Sequence, residues 1–178
     1  MTFNNKKFAN KYGAVVKTYR NLPLHFQRAI AFYMAVDGEA WDIPNTNWRN
    51  HPYWKTDRHT NKDRDNYDAY LFRRMIRNMP FLITKYGHKK FGMGEIPSDI
   101  LATEMIKDGW PDPKIKTLDQ YREWLLKNMG IENHPIINRW PVILDSDHYG
   151  NSVLQDGYTR FSTYWLRGDK TIPVVYYA

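Results

Sequence analysis

The sequence contains no cysteine among its 178 residues. Disulfide bonds, cysteine-ligated zinc sites and thiol nucleophiles are therefore excluded as sources of stability or chemistry. No apolar run approaches the roughly 20 residues that a membrane-spanning helix needs, and the N-terminus lacks the apolar core of a signal peptide. These absences predict a soluble protein of the cytoplasm.

Acidic residues are scarce in the N-terminal half of the chain. Residues 1–94 contain 17 Lys and Arg against 7 Asp and Glu, and residues 95–178 contain 9 against 12, which together give the net charge of +7. A concentrated positive charge favours DNA or another polyanion as a partner, although basic surfaces also occur without one. Aromatic residues make up 16% of the chain, which indicates a folded protein rather than a disordered one.

Helical spacing of apolar residues dominates the N-terminal half. It predicts a basic amphipathic helix within 1–22 and a second helix over about 23–37. An aromatic-rich loop is expected over 41–60, where prolines and tryptophans cluster. A third helix is predicted over 63–79, and we expect Pro80 to end it because proline cannot continue the helical hydrogen bonding.

Four basic residues are the candidates for contact with nucleic acid. Arg73 and Arg77 share one face of the third predicted helix, whereas Lys89 and Lys90 lie in the segment 87–94. A solvated charged face is the alternative interpretation of the helical pair. The segment itself is rich in glycine, which predicts a linker.

This predicted linker divides the chain into two parts. Residues 1–86 are expected to form a mostly helical, basic N-terminal region, and residues 95–178 a domain that mixes strands and helices. Within that domain, a capping box at Thr117–Gln120 predicts the start of a helix. The predicted fold class is therefore α+β.

A strand, a glycine turn and a helix start follow one another near the C-terminus. Apolar residues before Asp156 are typical of a strand, Gly157 permits a tight turn, and apolar residues recur at helical spacing from Phe161. The first turn of such a helix presents backbone N–H groups at the positive end of the helix dipole, which suits a phosphate group. Thr159 and Arg160 add a hydroxyl and a guanidinium. Asp156 has three candidate roles, as a helix cap, a ligand of a divalent cation, or a proton acceptor.

Three motifs follow one another in the C-terminal half: the apolar segment HPIINRWPVILD at 134–145, the sequence Asp-Gly-Tyr-Thr-Arg at 156–160, and KTIPVV at 170–175. Over about residues 94–178 this order resembles the ParB/sulfiredoxin-like fold family. The central motif is nearest to the Asp-Gly-His-Thr-Arg of the free serine kinases, with Tyr158 in place of the histidine. The absence of cysteine excludes the thiol chemistry of a true sulfiredoxin.

The resemblance implies a nucleotide site with ATP or CTP and Mg²⁺ as cofactors. The nucleotide-binding residues that it implies are Gly157, Tyr158, Thr159 and Arg160. Asp156 would hold the metal and take part in catalysis. By position, Glu104 matches the glutamate that acts on the acceptor hydroxyl in the serine kinases; its alternative interpretation is a surface glutamate on a short helix.

Three functions remain open from the sequence. The first is a nucleotide-dependent kinase or NTPase of this fold that acts on or near nucleic acid, since the chain resembles accessory proteins of phages and mobile elements. The second is a non-enzymatic DNA-binding or host-interaction protein with a regulatory nucleotide site. The third is a metal-dependent, ParB-like nuclease that uses Asp156 and Glu104.

Overall fold

The computed structural model describes residues 5–36, 61–128, 139–145 and 153–178. In chain order, their helices and strands are α1 (Asn5–Lys11), β1 (Val15–Thr18), a 3-10 turn (Tyr19–Asn21), α2 (Leu24–Val36), α3 (Asn61–Tyr86), β2 (Lys90–Pro97), α4 (Ser98–Lys107), α5 (Leu118–Asn128), β3 (Val142–Leu144), β4 (Leu154–Asp156), α6 (Tyr158–Leu166) and β5 (Thr171–Tyr177). The loop predicted over 41–60 lies outside the described residues. None of the described helices is long and apolar enough to cross a membrane.

The chain divides into two compact units. One contains the described residues of 1–18 and 90–178, and the other contains those of 19–89. The first unit combines helices with a mixed five-stranded sheet, which confirms the predicted α+β class. In the second unit, the described elements are the 3-10 turn, α2 and α3.

Strand β5 lies at the centre of the sheet, whose strand order is β1-β2-β5-β3-β4. It pairs antiparallel with β2 over its whole length and parallel with β3 through Val174 and Val175. Residues 172–176 are all buried, as expected of a strand that is covered on both faces. The strand predicted from the sequence KTIPVV is thus the one that joins the two sides of the sheet.

Aromatic packing joins the helices of the first unit. The ring centroid of Tyr121 on α5 lies 6.1 Å from that of Phe161 and 5.0 Å from that of Trp165, both on α6. The indole Nε1 of Trp165 donates a hydrogen bond of 2.8 Å to Asp99 Oδ1 on α4. This bond keeps the polar atom of a buried ring satisfied, so the three helices share one core.

The capping box predicted from the sequence begins helix α5. The backbone N–H of Gln120 donates to Thr117 Oγ1, and the backbone N–H of Thr117 donates to Gln120 Oε1, both at 3.2 Å. These reciprocal bonds satisfy donors that a helix start leaves unpaired. The local chemistry of four residues therefore fixes where α5 begins.

Helices α2 and α3 pack against each other in the second unit. Ile30 and Met34 on α2, and Leu71 and Met75 on α3, are each no more than 3% exposed. The helix predicted over about 23–37 is confirmed by α2. Burial of one apolar side of each helix explains why the pair is stable as a compact unit.

The predicted end of the third helix at Pro80 is wrong, because α3 continues to Tyr86 with Pro80 inside it. A proline within a helix removes one backbone hydrogen bond. Leu82, which follows the proline, is fully buried, and Leu71 and Met75, which precede it, are almost completely buried. Burial of this continued apolar row offsets the lost hydrogen bond.

Two predicted boundaries also differ from the structure. Residues 15–18, expected within a helix, form β1, and residues 90–94, expected within a linker, belong to β2, which pairs with β1. Gly92 faces Tyr176 in the register of β2 and β5, and a Cβ at this position would collide with the ring of that tyrosine. The glycine therefore serves close packing inside a sheet and not a hinge.

Replacing Gly92 by alanine tests this packing. We expect Gly92→Ala to lower the free energy of unfolding by about 1–3 kcal/mol, the usual cost of overpacking, as measured by urea denaturation. Gly94→Ala is the comparison within the same strand, since its Cβ would lie 3.1 Å from the Ala14 Cα, a tight contact but far less severe than the collision at Gly92. The cost of Gly92→Ala should shrink in a Tyr176→Leu background. An undiminished cost there would contradict the assignment.

An ion-pair network joins the residues around the ends of β2, β3 and β5. Arg139, which precedes β3, donates to Glu95 Oε2 at 3.0 Å and to Asp169 Oδ2 at 3.2 Å. Arg167 donates to both carboxylate oxygens of Asp169, at 2.8 and 2.6 Å. The hydrogen bond from Arg167 is the main reason why the pKa of Asp169 lies below its ordinary value.

This lowered pKa gives the stability contribution of Asp169 a defined pH dependence. Because the folded-state pKa is below the unfolded one, the contribution is present above the ordinary aspartate value of about 3.9 and is lost as the pH falls through the folded-state pKa. Asp169→Asn should therefore destabilise the protein at neutral pH and have little effect in acid, as measured by urea unfolding at both. Asp119→Asn, whose side chain is 98% exposed, is the control. An Asp169→Asn effect that does not change with pH would contradict this account.

Candidate functional site

The candidate site is the junction between β4 and α6. Strand β4 ends at Asp156, Gly157 follows in the left-handed conformation with φ 97° and ψ 23°, and α6 begins at Tyr158. The strand, glycine turn and helix start that the sequence predicts are thus confirmed. No side chain caps this helix, so the first turn presents backbone N–H groups rather than a capping oxygen.

Gly157 has a left-handed backbone conformation, and neighbouring atoms also leave little room for a side chain. A Cβ at this position would lie 3.0 Å from Arg160 Nη2 and 3.1 Å from both Cα and Cγ1 of Val142 at the start of β3. Its carbonyl accepts the first hydrogen bond of the helix, from the N–H of Phe161 at 2.8 Å. The turn therefore requires glycine for its positive φ and for the close approach of β3.

Asp156 and Arg160 face each other across the turn. Arg160 Nη2 donates to Asp156 Oδ2 at 3.1 Å, and the side chains are 19% and 34% exposed for the arginine and the aspartate. The Nε–H of Arg160 is buried and has no acceptor among the described residues. An unsatisfied buried donor costs free energy, so this guanidinium has both charge and hydrogen-bonding capacity to offer an anion.

Tyr158 turns back towards the strand that precedes it. Its hydroxyl donates to the carbonyl of Leu154 on β4 at 2.9 Å, and its ring centroid lies 4.5 Å from that of Trp110. The tyrosine that stands where the motif it resembles has histidine therefore contributes to packing, and its contact with a nucleotide stays a prediction. It fixes the start of α6 against β4 and supports Trp110.

Trp110 borders the candidate site, although the sequence did not single it out. It is 40% exposed and lies in the loop between α4 and α5, with its backbone N–H donating to Met105 O at 3.0 Å. Burial raises the pKa of Tyr121, and a hydrogen bond with Trp110 opposes that rise. A large ring that packs on Tyr158 and is still open to solvent can serve as a stacking surface. The available signal was a tryptophan in a short loop between Gly109 and Pro111.

The other predicted catalytic residue, Glu104, lies on α4. Its carboxylate forms an ion pair of 2.8 Å with Lys107, and its side chain is 22% exposed. Within the described residues, no hydrogen bond or ion pair joins it to the junction of β4 and α6. The pairing by position that the resemblance implies stays a prediction.

The charge of Asp145 acts on a second aspartate, Asp108, and the sequence did not single out either of them. Asp145, directly after β3, is 4% exposed. Burial raises the pKa of Asp108, a backbone hydrogen bond at Val153 lowers it, and the charge of Asp145 raises it again. In the parts of the chain that the structure describes, no group of three or more His, Cys, Asp or Glu is arranged to hold a metal ion. Asp156 as a metal ligand stays a prediction.

The predicted nucleic-acid residues are distributed over both units. Arg73 and Arg77 are exposed on α3, Lys89 is half-buried at the end of the second unit, and Lys90 is exposed at the start of β2 in the first. The helical pair forms one surface within its unit. Contact of these four residues with DNA stays a prediction.

No family model, curated protein or solved structure matches this chain. The site must therefore be interpreted from its own geometry.

A comparison of Gly157 with Gly168 separates the cost of backbone strain from the cost of overpacking, because the two glycines have similar φ angles. Gly157 has φ +97° with Val142 in contact range, whereas Gly168 has φ +91° and open space around it. Alanine at either position should cost about 1–2 kcal/mol in backbone strain. Gly157→Ala should cost at least about 1 kcal/mol more because of overpacking, as measured by urea unfolding. Equal losses for the two variants would show that Val142 does not confine the turn.

Proposed function

We propose that this protein binds a nucleoside triphosphate at the start of α6 and uses it for phosphoryl transfer or hydrolysis. The proposal includes a ParB/sulfiredoxin-like fold for the first unit, on the resemblance of its motifs. It rests on a combination of features within five residues: a glycine turn, an uncapped helix start and a guanidinium with a buried, unsatisfied donor. Each of these features favours a phosphate group.

The arginine is the observation that carries the proposal. Arg160 already has an anionic partner in Asp156, but only through Nη2, and its buried Nε–H lacks an acceptor in the described structure. If the Arg160 side chain rotates to expose that donor, a phosphate oxygen would satisfy it in a charge-assisted hydrogen bond, which is about twice as strong as a neutral one. Bound phosphate would thereby remove an existing penalty as well as adding an attraction.

Asp156 has a role that depends on the bound nucleotide. In the free protein it neutralises Arg160, with a side chain that is 34% exposed. When phosphate binds the guanidinium, the carboxylate becomes available to a magnesium ion that accompanies the nucleotide. Phosphoryl transfer needs mainly positioning and charge neutralisation, so these two side chains and the helix start supply the principal groups.

Trp110 supplies a surface for the base of the nucleotide. Its ring rests on Tyr158, the first residue of α6, and it is 40% exposed. Stacking of a base on an aromatic side chain contributes roughly 1–3 kcal/mol and tolerates different bases. The arrangement therefore favours a nucleotide over inorganic phosphate without selecting ATP or CTP. Glu104 is the candidate base for the acceptor hydroxyl.

A thermal-shift experiment tests this proposal. ATP, ADP, CTP and GTP, each with and without Mg²⁺, would be compared with inorganic tripolyphosphate. A nucleotide at a hundred times its dissociation constant should stabilise the protein by about 2.7 kcal/mol. We expect Arg160→Ala to abolish every shift, and Trp110→Ala to reduce the nucleotide shifts while leaving that of tripolyphosphate.

Arg167→Ala is the matched control, because it removes an arginine at the other end of the same helix. Its shifts should equal those of the wild type. Nucleotide shifts that survive Arg160→Ala, or that fall equally with Arg167→Ala, would remove the junction from the binding site. A specific shift with no turnover of the nucleotide would favour the regulatory function over the enzymatic one.

A further inference from the structure

Helix α3 exposes a row of apolar side chains beside the row that it buries. Phe72, Ile76 and Ile83 are 36%, 52% and 37% exposed, and we call these three residues the α3 stripe. At about 100° per residue they fall within about 40° of one another around the helix. Each follows directly after a buried residue, since Leu71, Met75 and Leu82 face the core.

Arginines lie along the outer side of this stripe. Arg73 and Arg77 are exposed and are turned by about a further 100° from Phe72 and Ile76. From residue 69 to residue 94 the sequence contains six Lys and Arg and no Asp or Glu. The helix therefore carries net positive charge beside the stripe, whereas its acidic residues, Asp63, Asp65 and Asp68, lie in its first two turns.

The exposed aromatic residue elsewhere on this helix differs from the stripe. Phe81 is 39% exposed, but the ammonium of Lys85 lies 5.5 Å from its ring centroid, and the Tyr86 ring packs edge-on at 6.5 Å. Its exposure is thus partly compensated by its own neighbours. The two isoleucines of the stripe have no aromatic ring and cannot form such a cation–π contact with a neighbouring lysine.

The combination of aliphatic side chains and arginines discriminates between classes of partner. DNA would pair its phosphates with the arginines but would leave two isoleucines without a matching surface, because bases stack on aromatic rings. A second copy of the stripe would bring arginine rows together, which like-charge repulsion opposes. A bilayer takes up a broad apolar face, whereas a row about 40° wide corresponds to the seam between two packed helices.

We infer that the α3 stripe is a docking surface for an acidic amphipathic helix of a partner protein. The partner's apolar side chains, spaced at i, i+4, i+7 and i+11, pack along Phe72, Ile76 and Ile83. Its flanking carboxylates pair with Arg73 and Arg77 in charge-assisted hydrogen bonds. This surface lies within the second unit, and the inference does not rest on the proposed nucleotide site.

The probe is a fluorescein-labelled synthetic peptide of helix-forming sequence. It has leucines at i, i+4, i+7 and i+11, flanked by glutamates. Fluorescence anisotropy against the full chain should show saturable binding that weakens with salt. A peptide with lysine in place of each glutamate should bind at least tenfold more weakly, as should one with serine in place of each leucine. We expect Ile76→Asp and Ile83→Asp each to weaken binding about tenfold or more, the loss typical of a central interface residue.

Matched variants on the first unit control for non-specific effects. Leu126→Asp changes a residue on α5 that is 53% exposed, and Lys116→Glu/Lys127→Glu changes two exposed lysines. Both should leave binding unchanged, whereas Arg73→Gln/Arg77→Gln should weaken binding and reduce its salt dependence. Circular dichroism would verify that each variant is folded.

Several outcomes would overturn the inference. Equal binding of the acidic and basic peptides would exclude charge complementarity, and equal effects of Ile76→Asp and Leu126→Asp would exclude the stripe. Two other partners would be examined with the same variants, a 24-base-pair DNA duplex and phosphatidylserine vesicles. Binding of either, without a preference for the acidic peptide, would assign the surface to that class instead.

Discussion

The pairing of β5 between β2 and β3 is the constraint on which the first unit depends. Its five consecutive buried residues, 172–176, place a strand from the C-terminus at the centre of the sheet. On one side it requires Gly92, because Tyr176 packs over that backbone. On the other side it positions β3, since Val142 pairs with Val174.

The candidate site follows from the same strand. Val142 contacts the position that a Cβ of Gly157 would occupy, so the place of β3 in the sheet fixes the turn into α6. The turn then sets Arg160 opposite Asp156 and leaves its Nε–H buried without an acceptor in the described residues. A local turn and a long-range strand pairing thus combine to create one under-satisfied guanidinium. This is a common physical basis for sites that bind anions.

The features that the sequence predicts well are local ones. The strand, glycine and helix start around Gly157 depend on neighbouring residues, and so does the capping box at Thr117–Gln120. The same holds for helix α2 and for β5, whose apolar patterns are continuous. Such elements are encoded within a few residues, and their sequences predict them.

The features that the sequence predicts poorly depend on distant partners. Gly92 suggests a linker when it is considered alone, and only Tyr176, far along the chain, explains it as part of a strand. Pro80 suggests a helix end because the burial of Leu82 beyond it is not visible in the sequence. Trp110 joins the site through the packing of its ring on Tyr158, which no spacing rule predicts. Tertiary contacts override local propensity at each of these positions.

The two units also pose different chemical questions. In the first, an arginine and a helix start favour a phosphate group. In the second, exposed aliphatic side chains next to arginines favour an acidic and partly apolar surface. Positive charge alone would suggest the same kind of polyanion as the partner of both units. The side chains next to the charged groups differ, however, and they determine which partner can cover them without leaving polar or apolar groups unmatched.

The most direct measurement of the central claim is an NMR titration of the ¹⁵N-labelled protein with ATP and Mg²⁺. If the nucleotide binds at the start of α6, the largest shift changes will occur at the indole N–H of Trp110 and at the backbone amides of Gly157, Tyr158, Thr159 and Arg160. Changes confined to other residues, such as those around Arg73 and Arg77, or no changes at millimolar nucleotide, would contradict a phosphate site at the start of α6.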